Sequence, residues 1–350
     1  MINSLRVFCI FFMIYAHADL GKGGEAGTIL QSDSLAWVSV IWVDLLSRAS
    51  VAALSFVSGF LIVRSLDRGR PGRFIRGRAQ VLVVPMIFWN CVFIVLAVLA
   101  HLAGVESSAG GVWQPEDPMS MVNAVTGLAG PMVAPSLGFL RDLFVTSAII
   151  ALAWPWIRPV LPAVIAVVLA AALFDALEPV VFRPSIPFFM LAGAYARSRG
   201  WRLTHLASPR LALPVAAASA VLVLALGLHG LQNPQLAEAS NLAKRAGLIA
   251  LVLCLAAQLA DTRAQAFCDR LAPVSYLAYL SHVRVLSVLF FLLAIDPGSS
   301  AFLAFFFLAP VIGFAAALVM TQILAVLPPW VARFVQGKAP RRRTPRPATA

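Results

Sequence analysis

The stretch of sequence that decides the fold runs from residue 64 to residue 103 and reads RSLDRGRPGRFIRGRAQVLVVPMIFWNCVFIVLAVLAHLA. Its first 15 residues contain six arginines, and its last 25 contain no Asp, Glu, Lys or Arg. A helix needs about 20 consecutive apolar residues to cross a hydrocarbon core about 30 Å thick. Residues 79–103 are therefore predicted to span a membrane, with the arginine-rich loop at one of its surfaces.

The composition extends this prediction to the whole chain. Of the 350 residues, 61% are hydrophobic and 12% are charged, and the mean hydropathy is +0.88. Soluble domains contain about 25% charged residues, so we predict an all-α, polytopic membrane protein. Ten spans are expected, at residues 2–20, 48–63, 79–103, 137–154, 160–177, 186–197, 211–230, 246–260, 273–294 and 300–327. Residues 35–47 are compatible with an interfacial helix before the second span, because they contain two tryptophans beside an aspartate.

The loops give the orientation. Basic residues are concentrated in the segments 64–78, 197–210 and 261–272 and after residue 329, whereas residues 104–136 contain no Lys or Arg. With ten spans, the basic segments share one side, so the positive-inside rule predicts two cytoplasmic termini and a multi-pass protein of the inner (plasma) membrane. This distribution also explains the net charge of +12 without a nucleic-acid partner. Residues 1–330 are expected to form one membrane domain, followed by a basic, disordered cytoplasmic tail at 331–350 that anionic lipid attracts.

Two ionisable residues in the first predicted span are candidates for catalysis. Arg6 and His17 are eleven residues apart, which is three helical turns, so their side chains are expected on one face about 16 Å apart along the axis. A neutral imidazole can act as a general base or accept an acyl group itself. A guanidinium at the membrane surface can bind an anionic group with two parallel hydrogen bonds. Asp19 could adjust the basicity of His17 or only mark the end of the span.

Each of these residues also has a simpler interpretation. Arg6 alone is typical of a positive-inside anchor, and His17 alone is compatible with an interfacial or buried structural histidine. The tripeptide Ala16-His17-Ala18 resembles a signal-peptidase site after an apolar run, and cleavage there would remove both residues. The four cysteines have no paired or metal-ligand spacing, so neither a disulfide nor a metal site is predicted.

Several motifs, in order along the chain, resemble those of the acyltransferase-3 family of integral membrane acyltransferases. The first is the Arg-x10-His pattern of Arg6 and His17 in the first span. The others are Phe56-Val57-Ser58-Gly59-Phe60, Arg73-Phe74-Ile75-Arg76 followed by Pro85 and Trp89, Phe139-Leu140-Arg141-Asp142-Leu143, and Ser275-Tyr276-Leu277-Ala278-Tyr279-Leu280-Ser281-His282. The fourth motif departs from the family pattern, because Gly138 stands where a tryptophan is usual. The resemblance covers residues 2 to about 326.

The resemblance implies ten spans and an activity that transfers acyl groups from cytoplasmic acyl-CoA to glycans or related cell-surface acceptors. It implies that His17 is the catalytic histidine and that Arg6, Arg73 and Arg76 lie on the CoA side. For the two loop arginines, the alternative is that they only determine topology.

Four further residues are expected to contact substrate. Ser58 belongs to a motif that could equally be a small-residue helix contact. His282 is expected at a depth comparable to that of His17, so the two could share one cavity, although a structural histidine bonded to a facing helix is an equal alternative. Arg141 and Asp142 are expected on the acceptor side with different partners, because adjacent residues of a helix do not face each other. The long loop at 104–136 is compatible with a cap over an outward-facing site or a simple connector.

The sequence therefore predicts a membrane O-acyltransferase that moves an acyl group, expected to be acetyl, from acyl-CoA to a hydroxyl of a glycan or lipid-linked saccharide. Acyl-CoA is a co-substrate, and no permanently bound cofactor is predicted. The rival hypothesis is a secondary transporter or flippase, because intramembrane His, Arg and Asp also build proton and substrate paths. The sequence leaves open the acceptor, acetyl against succinyl, direct transfer against an acyl-histidine intermediate, and the oligomeric state.

Overall fold

The computed structural model describes residues 1–18, 30, 35–102, 117–130, 132–228 and 232–337. Within these ranges the chain forms helices and no strands. The α-helices are α1 Ile2–Tyr15, α2 Ala36–Val38, α3 Arg48–Leu66, α4 Pro71–Leu102, α5 Pro118–Thr126, α6 Gly138–Ile157, α7 Leu161–Leu173, α8 Ser185–Ser198, α9 Leu203–Leu206, α10 Pro209–Leu228, α11 Pro234–Gln258, α12 Arg263–Leu292, α13 Ser300–Val326 and α14 Pro329–Gln336. The prediction of an all-α, polytopic membrane protein is confirmed.

Seven helical segments of the described chain are long and apolar enough to cross a membrane. They are Ala36–Leu66, Pro71–Leu99, Pro135–Leu173, Pro209–Leu228, Pro234–Gln258, Arg263–Leu292 and Ser300–Val326. The third contains two crossings, because the chain reverses direction between α6 and α7 at a 3₁₀ turn, Arg158–Val160, and α7 packs on α8 and α11. Asp67, at one end of α3, bonds Trp154 of α6 and pairs with Arg158. The far end of α7 instead lines a cavity with Arg48, at the other end of α3.

Two shorter helices also run between the same two ends. Helix α1 lies alongside α12, since Asn3 bonds Asp269 near one end and the His17 ring lies against His282 further along. Helix α8 begins near the cavity that contains Arg48 and ends at a second cavity that contains Asp67. The described part of the chain thus accommodates the ten predicted crossings. One end of the bundle contains the N-terminus and the arginine-rich α3–α4 connection, and we call it the basic end. We call the other end of the bundle the opposite end.

The first helix is shorter than predicted. We expected an unbroken span over residues 2–20, but α1 ends at Tyr15. The backbone N–H groups of Ala16, His17 and Ala18 donate to the carbonyls three residues earlier instead of four. This 3₁₀-type tightening is common at helix ends, and it places His17 in the last turn, at the end of the helix.

Two other expectations about boundaries also change. Residues 35–47 do not form a separate interfacial helix: α2, a π-helix at Ser39–Ser47 and α3 follow one another without a break. The Trp42 ring packs against Tyr15 at a centroid distance of 5.0 Å, so this segment is held by α1. The boundary predicted at residue 330 falls inside α14, which packs on α4 and buries Ala332 and Val335. The rest of the predicted tail, residues 338–350, lies outside the described residues.

The closest helix pairing is that of α3 with α8. A Cβ atom added to Gly59 would overlap the Met190 carbonyl, and one added to Gly193 would overlap the Phe56 carbonyl. Glycines on both helices therefore let the two backbones approach, as small residues do in membrane helix pairs. Helix α3 of this pair also packs against α1 and α11.

Candidate active site

The structure brings together the two histidines that the sequence proposed for one cavity. The rings of His17 and His282 lie with their centroids 5.2 Å apart. His17 is held by its backbone N–H, which donates to the Ile14 carbonyl over 3.0 Å. His282 lies on α12, 19 residues after the helix begins and 10 before it ends. At 1.5 Å per residue this is well inside a membrane-spanning helix.

The hydrogen bond of His282 identifies which of its ring nitrogens carries the proton. The ring is 1% exposed, and its Nδ1 atom lies 2.6 Å from the Tyr279 carbonyl oxygen. A carbonyl can only accept, so Nδ1 must donate, and in a neutral ring Nε2 then carries the lone pair. Nε2 has no hydrogen-bond partner among the residues that the structure describes. The ring therefore offers a buried proton acceptor next to His17.

The tyrosines of the same helix explain the spacing of its motif. Tyr276, Tyr279 and His282 are three residues apart, so they lie on one face of α12. The Tyr276 hydroxyl donates to the Val81 carbonyl over 2.6 Å, and the Tyr279 hydroxyl donates to the Ser136 carbonyl over 2.7 Å. These bonds fix α12 to α4 and to the 3₁₀ turn before α6. They hold the His282 ring in its orientation.

A buried arginine that the sequence reasoning did not single out lies near the two histidines. Arg284 is 4% exposed, and its guanidinium carbon lies 4.4 Å from the centre of the Phe93 ring. Within the described ranges, its Nε and Nη2 atoms have no hydrogen-bond partner. Its charge acts on both His17 and Tyr279. The signal was present in the sequence, because an arginine in the middle of a predicted span is a functional candidate.

A second arginine, Arg183, fills the place left by the unusual Gly138. A Cβ atom added to Gly138 would lie 2.7 Å from the Arg183 Nη1 atom and 3.3 Å from the Met132 side chain. The guanidinium donates to the Pro135 carbonyl over 2.7 Å. Its charge, like that of Arg284, acts on His17 and Tyr279. Where the family usually has a tryptophan, this protein has Gly138 with the positively charged Arg183 side chain against it. The sequence did not indicate this contact, because Gly138 and Arg183 are 45 residues apart.

Arg141 and Asp142 are buried, but our expectation that they have different partners is wrong. Their side chains form a salt bridge of 2.7 Å, because the long arginine side chain folds back over its neighbour. The remaining Arg141 donors bind the carbonyls of Gly127, Leu128, Pro179 and Val180. All five N–H groups of the guanidinium are therefore used. Asp142 also accepts the backbone N–H of Arg183 over 3.0 Å, so the pair positions that residue. That either side chain contacts substrate stays a prediction.

At the basic end, Arg6, Arg73 and Arg76 are exposed. The arginine that turns inward from this loop is Arg78, which donates to the Ser58 hydroxyl over 3.1 Å. Ser58 therefore makes a polar contact, while its neighbour Gly59 makes the close helix contact. The sequence could not separate these two roles.

A cavity of about 660 Å³, lined by both polar and apolar side chains, opens near the opposite end of α3. Its lining includes Arg183. The charged and amide side chains that line it are Arg48, Asp175, Arg183, Gln235, Glu238, Asn241 and Arg245. Such a mixture of guanidinium, carboxylate and amide groups is suited to the hydroxyls and charges of a saccharide. Asp19, considered as a partner of His17, lies outside the described residues.

Comparison with known proteins agrees with the motifs. The model of the acyltransferase-3 family, described as an acyltransferase domain, matches residues 2–327. A relative from Rhizobium meliloti (strain 1021), the succinoglycan biosynthesis protein ExoH, is 25% identical over 342 residues, which cover 94% of this chain and 89% of the relative. No solved structure matches. The chain therefore belongs to the acyltransferase-3 family of membrane acyltransferases.

Proposed function

We propose that this protein is an inner-membrane O-acyltransferase that moves an acyl group, acetyl in the simplest case, from cytoplasmic acyl-CoA to a polysaccharide hydroxyl. The observation that carries the proposal is the juxtaposition of His17 and His282, with an available Nε2 lone pair, inside the helical bundle. The name of the relative, which refers to the biosynthesis of succinoglycan, supports a polysaccharide acceptor.

The donor binds at the basic end. CoA carries a 3′-phosphate and a pyrophosphate, and the exposed Arg6, Arg73 and Arg76 offer guanidiniums suited to these groups. Arg78 and Ser58 lie where this surface turns into the bundle. The positive-inside rule assigns the basic end to the cytoplasm, where acyl-CoA is made.

In the proposed reaction, His17 takes the proton of the acceptor hydroxyl as its oxygen attacks the thioester carbonyl carbon. A C–O bond forms, the C–S bond breaks, and the proton passes to the CoA thiolate. The Nε2 atom of His282 accepts a hydrogen bond that orients either the His17 ring or the hydroxyl. A transient acyl group on His17 is the alternative route to the same products. The saccharide approaches through the cavity that Arg183 lines.

Transfer of label tests this function directly. The full-length protein in proteoliposomes is given acyl-labelled acetyl-CoA outside or inside the vesicles, with de-acylated succinoglycan oligosaccharides as acceptor. We expect label in the saccharide in proportion to the CoA released. Saccharide movement across the vesicle without consumption of any acyl-CoA would favour the transporter hypothesis and contradict this proposal.

A further inference from the structure

Arg284 is a buried charge whose hydrogen-bonding capacity the described part of the chain does not use. The side chain is 4% exposed, and neither Nε nor Nη2 has a partner among the described residues. A charge of this kind is costly in a membrane protein unless it is paired. The Phe93 ring stabilises the positive charge by a cation–π contact with one face of the guanidinium. It does not satisfy the two N–H groups in the guanidinium plane.

The two atoms without partners define the shape of what would bind. Nε and Nη2 are adjacent donors on one edge of the guanidinium and point in parallel, which matches the two oxygens of a carboxylate or phosphate. The phosphates of CoA are expected at the basic end. Arg284 is 21 residues along α12 from Arg263, about 32 Å at 1.5 Å per residue. This distance therefore favours, as the ligand of Arg284, an anionic group close to the reacting atoms rather than a phosphate of the CoA nucleotide.

A single carboxylate fits the charge balance best. One guanidinium neutralises one negative charge, so a singly charged carboxylate matches Arg284. Among the described residues the salt bridges are Arg48–Asp44, Arg141–Asp142 and Arg158–Asp67, and none involves Arg284.

We propose that Arg284, two residues beyond His282 on α12, binds a carboxylate of the substrate through Nε and Nη2. This inference rests on the proposed function, and it narrows the substrate class. The carboxylate belongs either to a dicarboxylic acyl group on CoA or to an acidic sugar of the acceptor. Both sources present a carboxylate, and experiments with matched substrates distinguish the acyl donor from the acceptor sugar as its source.

The test measures affinity and turnover for two matched pairs with the full-length protein in detergent. The first pair is succinyl-CoA against acetyl-CoA, with a neutral oligosaccharide acceptor. The second is a glucuronate-bearing oligosaccharide against its neutral counterpart, with acetyl-CoA. The wild type is expected to prefer the carboxylate in one of the two pairs. Arg284→Gln is expected to reduce that preference by about tenfold to a hundredfold, as the loss of charge-assisted hydrogen bonds would.

Two further variants keep the result interpretable. Arg284→Lys retains the charge but lacks the paired donors, so it should fold and still lose most of the preference. Arg270→Gln, an exposed arginine of the same helix, should leave the preference unchanged.

The inference is overturned if the wild type prefers the carboxylate-bearing substrate in neither pair. It is also overturned if Arg284→Gln lowers the turnover of all substrates equally, because that result would indicate a residue that stabilises only the transition state. If the wild type consumes neither CoA thioester, the proposed function fails as well. Consumption of both thioesters without preference would overturn only the Arg284 assignment.

Discussion

At the scale of one residue, a single hydrogen bond determines which ring nitrogen of His282 can accept a proton. Because the Tyr279 carbonyl accepts from Nδ1 of His282, the ring is fixed with its Nε2 lone pair towards the interior of the bundle. Sequence alone indicated the histidine, through a motif and a polar residue in an apolar span. It could not indicate the tautomer, because that depends on which backbone carbonyl lies within reach after folding.

This assignment predicts different behaviour for two variants at position 282. Asparagine places its amide near Nδ1 and can keep the bond to Tyr279, whereas glutamine places its amide near Nε2. Both remove the basic nitrogen at Nε2, although the glutamine Oε1 can still accept a hydrogen bond there. We therefore expect CoA release to fall about a hundredfold in His282→Asn and by less in His282→Gln. Only His282→Asn should keep the wild-type melting temperature. Wild-type turnover by His282→Asn would show that Nε2 has no part in the reaction.

At the scale of elements, the α3–α8 pair is the part of the fold that tolerates least change. The sequence pointed to Ser58-Gly59 as a motif, and the structure separates the two residues. Gly59 lets the α8 backbone approach, whereas Ser58 contacts Arg78. Because the obstacle to a larger residue is the backbone of Met190 rather than a flexible side chain, it cannot move aside cheaply.

We therefore expect Gly59→Ala to lower the yield of folded, monodisperse protein and its melting temperature strongly, since α3 and α8 must separate to fit one methyl group. Gly227→Ala is the matched control, because a Cβ there meets nothing within 4 Å and alanine favours a helix. Size-exclusion chromatography and a thermal melt of the two purified variants measure the difference. Equal behaviour of the two would contradict the close packing.

The elements also show why the sequence predicted some features and missed others. Residues 79–103 were assigned correctly because a long uncharged run is decided by local composition. The end of α1 at Tyr15 and the continuity of residues 36–66 were missed, since both depend on contacts with α13 and between the two segments. The position of Arg183 beside Gly138 was invisible for the same reason, as it joins the start of α6 to the segment before α8.

At the scale of the whole molecule, the two proposed substrate regions lie at different ends of the bundle. Exposed arginines surround the start of α1 and α4, and a mixed polar cavity lies near the other end of α3. The proposed reaction places acyl transfer at the two histidines, inside the bundle. An enzyme that joins a cytoplasmic donor to an external acceptor requires this arrangement.

The orientation gives a direct prediction. In a background with Cys9, Cys91, Cys254 and Cys268 replaced, single cysteines at the exposed Gly72 and Met119 should react differently with a membrane-impermeant maleimide. In cells treated so that the outer face of the protein's membrane is accessible, we expect labelling at position 119 and none at position 72 until that membrane is permeabilised. The reverse pattern would place the arginine-rich end outside and contradict the proposed donor side.

The central claim is that His17, retained in the mature chain, carries acyl transfer from acyl-CoA. The most direct measurement is CoA release by purified wild type and His17→Gln, each verified by intact mass. The account predicts a mass that includes residues 2–18 and a loss of about a hundredfold or more in the variant. A mature chain that begins at Asp19, or undiminished CoA release by His17→Gln, would contradict it.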